Sequence, residues 1–193
     1  MRLSRKKKQR GLSLIESAMV LALSAVVISG VLYYYNNAKE KHAVNESIKQ
    51  IQTIAATVNK LYAGRSEKIE NYKDMSNLVK AISEVSGIPT VQSNGTTYFK
   101  SPTGIYTQLW GLSNGREYAL ETQARDASTC IAYAALNLGT LMKGKTLVGA
   151  GSNMGSQQAG GALTPAEAAQ QCENAAKQSG NGNPIKIRYH LGY

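Results

Sequence analysis

A long apolar segment near the N-terminus, GLSLIESAMVLALSAVVISGVLYYY at residues 11–35, constrains what this chain can fold into. One carboxylate, Glu16, lies near its start, and residues 17–38 carry no charge. As a helix, the uncharged residues would be about 33 Å long, because each residue adds roughly 1.5 Å. That length is sufficient to cross a hydrocarbon core of about 30 Å. The segment therefore predicts a transmembrane helix, and the costly carboxylate at its start predicts a functional role.

Six basic residues precede the apolar segment and indicate its orientation. The net charge of the chain is +10, and without these six the remaining 22 − 6 = 16 basic and 12 acidic residues leave +4. A basic run directly before an apolar helix is typical of a cytoplasmic N-terminus. Nucleic-acid binding is not expected, because no other basic cluster with interleaved aromatic residues follows. The six residues are Arg2, Arg5, Lys6, Lys7, Lys8 and Arg10.

The segment differs from an ordinary secretory signal. Its apolar run is long, ends in three tyrosines and lacks a small-residue cleavage site after it. The conspicuous small residue is Gly11, and cleavage there would remove the basic residues and keep the helix. This pattern, GLSLIESAMVL, with a glutamate at the fifth position after the glycine, resembles the type IV pilin signature. A leucine rather than a phenylalanine directly after Gly11 resembles the type IVb class.

The resemblance implies processing and assembly roles for three residues. A prepilin peptidase would cleave between Gly11 and Leu12 and methylate the new amino group of Leu12. Glu16 would pair with the α-amino group of a neighbouring subunit in a filament, because a buried carboxylate needs such a partner. The alternative for Glu16 is a position at the membrane interface, where the N-terminal end of the helix dipole favours a carboxylate.

A second apolar pattern extends the helix beyond the uncharged residues. Apolar residues recur at spacings of three and four, which is typical of one face of an amphipathic helix, and Gly64 is a stop signal. We expect one helix over residues 12–64, with residues 12–38 in the membrane or a filament core and residues 39–64 amphipathic. The apolar positions are Val44, Ile48, Ile51, Ile54, Ala55, Val58, Leu61 and Tyr62.

The rest of the chain predicts a sheet that covers this apolar face. Alternating residues predict antiparallel strands, and Asn-Gly within Ser113-Asn114-Gly115 is a strong hairpin signal. A sheet packed on one helix face is a workable two-layer core. We predict a short helix over residues 75–85, ended by Gly87 and Pro89, and strands over residues 96–100, 105–112, 116–123 and 185–191.

Two further helices are expected in the C-terminal part. The first begins at a candidate N-cap, Asp126, and ends before Gly139. The second has the pattern of a capping box, in which Thr164 and Glu167 bond reciprocally and Pro165 occupies the first turn. The two helices would cover residues 126–138 and 163–177, followed by a turn at residues 181–184.

No constellation in the sequence predicts catalysis, a metal or a cofactor. Residues 149–161 are rich in Gly, Ser and Gln, so we expect a mobile surface loop, and they lack the lysine of a phosphate-binding loop. His42 and His190 have no metal-ligand spacing and are expected to be ordinary surface residues. The acidic residues carry no catalytic motif, which gives no reason to expect an enzyme. Those considered are Glu70, Asp74, Glu84, Glu117 and Asp126.

The two cysteines, Cys130 and Cys172, are too far apart for a short-spaced metal pair. A disulfide is expected if they lie outside the cytoplasm, and two separate buried thiols are the alternative. Their surroundings, CIAYAALNLG and LTPAEAAQQC, resemble the bundlin group of type IVb pilins of enteric bacteria. In that family the two cysteines bridge and delimit a surface-exposed D-region, so the resemblance implies a disulfide between Cys130 and Cys172.

Together, the resemblances imply the type IV pilin fold of the α+β class. In that fold a long N-terminal α-helix packs against an antiparallel β-sheet, and a disulfide bounds the C-terminal D-region. Residues 1–11 would be a cleaved leader peptide, residues 12–64 the long N-terminal helix, and residues 65–193 a globular head with an αβ-loop and the D-region.

The same resemblance implies a structural subunit, the major pilin of a type IVb pilus that serves adhesion and bacterial aggregation. The expected partners are further copies of the chain, a prepilin peptidase, an inner-membrane assembly platform with its ATPase, an outer-membrane secretin and a host-cell surface. The precursor would lie in the inner membrane with a periplasmic head, and the assembled subunit in an extracellular pilus. A minor pilin or a type II secretion pseudopilin is the alternative. An N-anchored periplasmic enzyme is the hypothesis from another class.

Overall fold

A single long helix, α1 (Leu14–Tyr62), begins the part of the chain that the computed structural model describes. The described residues are 13–69, 75–112, 116–151, 154–155, 159–179 and 183–193. The chain divides into two compact units, Met1–Lys41 and His42–Tyr193, and α1 contributes to both. The predicted long helix is confirmed over these bounds, and Gly64, at a φ of +77°, follows its end as the stop signal.

In the first unit, the large apolar side chains of α1 are exposed, from Leu14 at 89% to Tyr35 at 61%. The most apolar window of α1 has a mean hydropathy of 2.1 and no buried residue. Among the described helices, α1 alone is long and apolar enough to cross a membrane, judged by length and composition. An apolar surface of this extent on a helix indicates that something other than water covers it.

In the second unit, the amphipathic part of α1 lies in the hydrophobic core. Ile51, Ile54, Ala55 and Val58 are at most 1% exposed and belong to the same buried cluster as the sheet residues. Polar contacts fix the helix against the segment around Ser101, since the hydroxyls of Ser47 and Ser101 lie 2.9 Å apart. The predicted apolar face of residues 39–64 is therefore confirmed at its central positions.

A six-stranded sheet packs on this helix, and each pair of neighbouring strands is antiparallel. The spatial order of the strands is β1-β2-β3-β4-β6-β5. The strands are β1 (Thr90–Ser93), β2 (Thr96–Lys100), β3 (Tyr106–Gly111), β4 (Glu117–Ala124), β5 (Leu147–Ala150) and β6 (Ile185–Gly192). The helices after α1 are α2 (Met75–Ser86), α3 (Ala127–Ala134) and α4 (Pro165–Gln178), with a 3₁₀ turn at Gly139–Leu141.

The alternation along β6 separates the two faces of the sheet. Ile185, Ile187, Tyr189 and Leu191 are at most 2% exposed and face the core that contains α1. Lys186, Arg188 and His190 alternate with them and lie on the opposite face, which we call the outer sheet face. β6 pairs with β4 along its whole length, from Glu117 opposite Gly192 to Ala124 opposite Ile185. The expected α+β fold, with a long helix against an antiparallel sheet, is confirmed.

Several shorter predictions are also confirmed. The helix predicted over residues 75–85 is α2, and the strands predicted over residues 96–100 and 185–191 are β2 and β6, with ends that agree within one residue. β3 and β4 match the remaining two predicted strands within one residue at each end. The turn predicted at residues 113–115 and the first half of the one at 181–184 lie outside the described residues.

The expectation of a loop over residues 149–161 is wrong at its start. Gly149 and Ala150 belong to β5, where they lie opposite Lys186 and Ile185 of β6. Pairing of this strand uses backbone groups, so a segment poor in large side chains can still join the edge of a sheet. Met154 is only 6% exposed, whereas residues 152–153 and 156–158 lie outside the described residues. β1 has no predicted counterpart for a similar reason, since its four residues are all exposed.

The helix predicted over residues 126–138 is shorter than expected. α3 ends at Ala134, and the backbone N–H of Ala135 donates to the carbonyl of Ile131. Gly139 therefore begins the 3₁₀ turn instead of stopping α3, and its backbone N–H donates to Asn137 Oδ1 at 2.8 Å. The backbone N–H of Leu136 donates to the carbonyl of Tyr133, so the bonding has already tightened before Asn137, whose side chain then bonds locally outside a helix.

The expectation that His190 is an ordinary surface residue is wrong. It lies in an interior strand of the sheet and is 8% exposed, with Nε2 2.7 Å from Glu117 Oε2. Ala119 of β4 lies opposite His190 on one side, and the backbone N–H of Lys143 donates to the His190 carbonyl on the other, so the residue has neighbouring chain on both sides. His42 is exposed on α1, as expected.

Truncation of Val58 should show how strongly α1 supports the head. Val58→Ala removes two buried methyl groups and should lower the free energy of unfolding by about 2 kcal/mol. Val85→Ala is the matched control, because Val85 is also helical but 54% exposed, and its effect should stay within about 0.5 kcal/mol. Denaturant unfolding of the chain in mild detergent measures both. Equal effects of the two substitutions would contradict the packing described.

Candidate assembly helix and disulfide-bounded region

A reciprocal pair of hydrogen bonds caps the N-terminal end of α1. The backbone N–H of Ser13 donates to Glu16 Oε2 at 2.8 Å, and the backbone N–H of Glu16 donates to Ser13 Oγ at 3.2 Å. This is a capping box, and it satisfies two of the donors that a helix start leaves unpaired. The S-x-x-E spacing of Ser13 and Glu16 is present in the sequence, but this cap was not among the predictions.

The capping box places the Glu16 carboxylate at the positive end of the helix dipole. The side chain is exposed in the single chain. Gly11 and Leu12, the predicted cleavage and methylation sites, lie outside the described residues. The roles of Gly11, Leu12 and Glu16 in processing and assembly therefore stay predictions.

A disulfide joins the two helices of the C-terminal part. Cys130 of α3 and Cys172 of α4 are bonded, their Cα atoms are 5.8 Å apart, and both residues are fully buried. The predicted Cys130–Cys172 disulfide is confirmed. The bond closes a loop that contains the 3₁₀ turn and β5, so this whole region is tied to the core at both ends.

The helices that carry the cysteines both begin with side-chain caps, as predicted. Asp126 Oδ1 accepts from the backbone N–H of Thr129 at 2.8 Å, which caps α3. Burial raises the pKa of Asp126, but hydrogen bonds from Ser128 and Thr129 outweigh it and hold the pKa below its ordinary value. α4 has the predicted capping box between Thr164 and Glu167, with Pro165 at its first position.

Glu167 has a second role that the sequence did not reveal. Lys145, just before β5, donates from Nζ to Glu167 Oε1 at 2.6 Å. This hydrogen bond, with those from the Thr164 backbone and hydroxyl, lowers the pKa of Glu167 to about 2. The carboxylate thus caps α4 and also ties it to the start of the edge strand within the disulfide-bounded region.

Charged residues pair on the outer sheet face. Glu121 is 4% exposed, and its Oε2 accepts from Arg188 Nη2 at 2.7 Å and from Arg188 Nε at 3.0 Å. The Arg188 guanidinium lies 4.8 Å from the centre of the Trp110 ring, close enough for a cation–π contact. The cross-strand register that pairs these residues is visible only in the structure. Among the described residues, no group of three or more His, Cys, Asp or Glu could hold a metal ion.

Comparison with known proteins decides the family. Residues 36–192 match the Bundlin family, and residues 6–32 match the prokaryotic N-terminal methylation motif. The chain belongs to the bundlin family. Both matches extend into α1, one up to residue 32 and the other from residue 36, so the apolar part of the helix and the head both carry family features.

Relatives of this bundlin-family chain include two proteins of the same description. Each is a "Major structural subunit of bundle-forming pilus", from Escherichia coli O127:H6 and Escherichia coli O111:H-. Each is 32% identical over 180 residues, which covers 88% of this chain and 90% of the relative. A crystal structure of type IVb pilin from Salmonella typhi has a TM-score of 0.54 at 13% identity and covers 76% of this chain and 98% of that chain. The latter likeness supports the fold alone.

Loss of the disulfide should destabilise the head. In the chain-entropy account, a bridge over 42 residues stabilises by roughly 4 kcal/mol, so the double variant Cys130→Ser, Cys172→Ser should lose up to that amount. Thermal unfolding with and without a reductant measures the loss. The reductant should lower the unfolding temperature of the wild-type chain and leave that of the double variant unchanged. A wild-type chain that is insensitive to full reduction would contradict the prediction.

The low pKa of Glu167 predicts a dependence of stability on acid. Because its folded pKa of about 2 is below the ordinary value of 4.5, its contribution is complete above pH 4.5 and is lost as the pH falls towards 2. Glu167→Gln should therefore flatten the loss of stability between those pH values. Glu173→Gln, which changes an exposed carboxylate on the same helix, is the control and should keep the wild-type profile. Identical pH profiles for all three proteins would refute the role given to Glu167.

Proposed function

We propose that this chain is the major pilin of a type IVb pilus, a structural subunit and not an enzyme. The observation that supports this most is the division of α1, whose first part exposes its apolar side chains while its second part lies in the core of the head. A subunit that polymerises through one helix needs this arrangement. The relatives named as major structural subunits of a pilus add support, because the similarity extends over 88% of this chain.

In this proposal the chain is first a membrane protein. The basic leader holds the N-terminus in the cytoplasm, the apolar part of α1 crosses the inner membrane, and the head lies in the periplasm. A prepilin peptidase cleaves between Gly11 and Leu12 and methylates the amino group of Leu12. Cleavage removes six positive charges and leaves an amine close to the start of α1. The match of residues 6–32 to the N-terminal methylation motif supports this step.

Assembly then replaces lipid around α1 with the helices of neighbouring subunits. Lipid and neighbouring helices are both apolar, so the exposed side chains of α1 suit either surrounding. The Glu16 carboxylate would be costly among packed helices unless a cation joined it, and the amine of a neighbour's Leu12 would supply that cation. In the single chain the carboxylate accepts from Ser13, and the capping box holds it at the helix start where such an amine could reach it.

The proposed partners follow from this route. They are further copies of the chain, a prepilin peptidase, an inner-membrane assembly platform with its ATPase, and an outer-membrane secretin. The finished filament is extracellular and serves adhesion and bacterial aggregation, with a host-cell surface as a further partner.

Substitution of Glu16 tests the assembly step. Glu16→Ala should leave the chain processed and membrane-held but reduce surface filaments strongly, because the neighbour's amine loses its partner. Glu40→Ala is the matched control, since it removes an exposed glutamate further along the same helix and should leave filament yield unchanged. Shearing cells and weighing the filament fraction measures both. Normal filament yield from Glu16→Ala would count against the proposal. Absence of long surface filaments from wild-type cells would instead favour a pseudopilin.

The intact mass of the isolated mature protein tests the processing step. We expect a chain that begins at Leu12, carries one added methyl group and lacks the two hydrogens lost on forming the Cys130–Cys172 bond. Gly11→Leu should retain the leader, because a bulky side chain would replace the small residue before the proposed cut. A wild-type mass that includes the leader, or one that begins near Tyr35, would overturn this step.

A further inference from the structure

Three consecutive tyrosines mark the end of the apolar part of α1. Tyr33, Tyr34 and Tyr35 are 75%, 77% and 61% exposed in the single chain. Two asparagines follow them, and Lys39 is the first charged residue after Glu16. The tyrosines therefore lie at the change from apolar to polar sequence within one continuous helix.

The three tyrosine side chains are spread over roughly 200° of the helix circumference instead of forming a stripe. Successive residues of an α-helix are about 100° apart, since one turn contains 3.6 residues. Three consecutive side chains therefore point in well-separated directions around the axis. A stripe of side chains at spacings of three and four suits contact with one neighbouring helix. Side chains that point in several directions suit a medium that surrounds the helix.

The distance between Glu16 and the tyrosines matches the thickness of a membrane. Tyr33 lies seventeen positions after Glu16, a rise of about 26 Å along the helix, and Tyr35 lies about 29 Å from Glu16. A hydrocarbon core is about 30 Å thick. With the Ser13–Glu16 capping box at the cytoplasmic boundary, the tyrosines reach the opposite boundary.

The chemistry of tyrosine suits that position. Its ring is apolar and its hydroxyl needs a hydrogen-bond partner, so tyrosine is enriched where hydrocarbon meets lipid headgroups. We propose that Tyr33, Tyr34 and Tyr35 form a belt that contacts phospholipid headgroups on the periplasmic side and fixes the depth of the unassembled subunit in the membrane. This inference rests on the proposed function, because it requires a membrane-held precursor.

The depth of α1 in the membrane determines where the charged residues after the tyrosines lie. The helix continues without interruption from the tyrosines to Ser47, which is 1% exposed in the core of the head. Sliding of α1 into the bilayer would bring Lys39 and Lys41 towards hydrocarbon. The tyrosine belt keeps these charged residues in water.

Depth measurement in vesicles tests the belt. A nitroxide label on Asn37→Cys, in the full chain with its native disulfide kept oxidised, reports depth in phosphatidylethanolamine–phosphatidylglycerol vesicles through collisions with oxygen and with a water-soluble nickel complex. In a variant with all three tyrosines changed to leucine, the label should lie about 4.5 Å deeper, the length of three helical residues. A variant with all three changed to tryptophan should keep the wild-type depth, because tryptophan is also an interfacial residue.

The matched control changes three residues inside the apolar part, Val26→Leu, Val27→Leu and Ile28→Leu, and should leave the depth unchanged. An unchanged depth in the leucine variant would overturn the belt. Loss of filaments from that variant at unchanged depth would assign the tyrosines to contacts between subunits instead. Recovery of the wild-type chain outside the vesicle fraction would overturn the membrane-held precursor as well, so the two failures are distinguishable.

Discussion

Burial of one face of α1 under the sheet is the interaction on which the head depends. Ile51, Ile54 and Val58 belong to the buried cluster that also contains residues of β4 and β6, and burial of each such side chain stabilises by about 1.5–3 kcal/mol. Without them the core-facing side chains of the sheet, such as Ile187 and Tyr189, would lose part of their cover. α1 therefore contributes to the core of the head and also carries the exposed apolar residues, so removal of α1 would disrupt the head.

This arrangement explains why the composition of α1 changes along its length. The first part has apolar residues on all sides, which suits the lipid and the neighbouring helices of the proposed assembly route. The second part has one apolar stripe, because the sheet covers one side and water the other. Both parts have the same helical backbone, and they differ in the pattern of their side chains.

Much of this fold could be predicted from the sequence because its signals are local. Periodicity revealed α1, the Thr164–Glu167 capping box revealed the start of α4, and alternation revealed β6. The elements without a prediction, β1 and β5, are short edge strands held by backbone pairing, which leaves little trace in side-chain pattern. Beyond the end of α3, Asn137 Oδ1 accepts a hydrogen bond from the backbone N–H of Gly139. Helix propensity does not report local side-chain bonds of this kind.

The candidate site was predictable only in part. The pilin signature predicted a role for Glu16 but not its capping bond with Ser13, although the S-x-x-E spacing is in the sequence. His190 was expected at the surface because its burial depends on the chain segments on both sides of β6, a property of topology. The pairing of Glu121 with Arg188 depends on register between strands far apart in the chain. Since Glu121 is nearly inaccessible to water, Arg188 is needed to offset the cost of burying its charge.

The outer sheet face also shows how charge is kept compatible with a central strand. Lys186 Nζ lies 3.9 Å from Glu121 Oε1, and Arg188 Nη2 lies 2.7 Å from Glu121 Oε2, so one carboxylate pairs with two cations. The Arg188 guanidinium lies over the ring of Trp110, a large side chain that is only 6% exposed. Paired charges and an aromatic ring thus cover this part of the outer sheet face.

The position of β6 has a consequence for the order of folding. β6 follows the other described strands in chain order, yet it lies between β4 and β5 and bonds to both. Until β6 is in place, β4 and β5 have no strand to join them. Completion of the sheet must therefore be a late step in folding. An intermediate without β6 in place would present two unpaired strand edges, a state open to aggregation and to proteolysis.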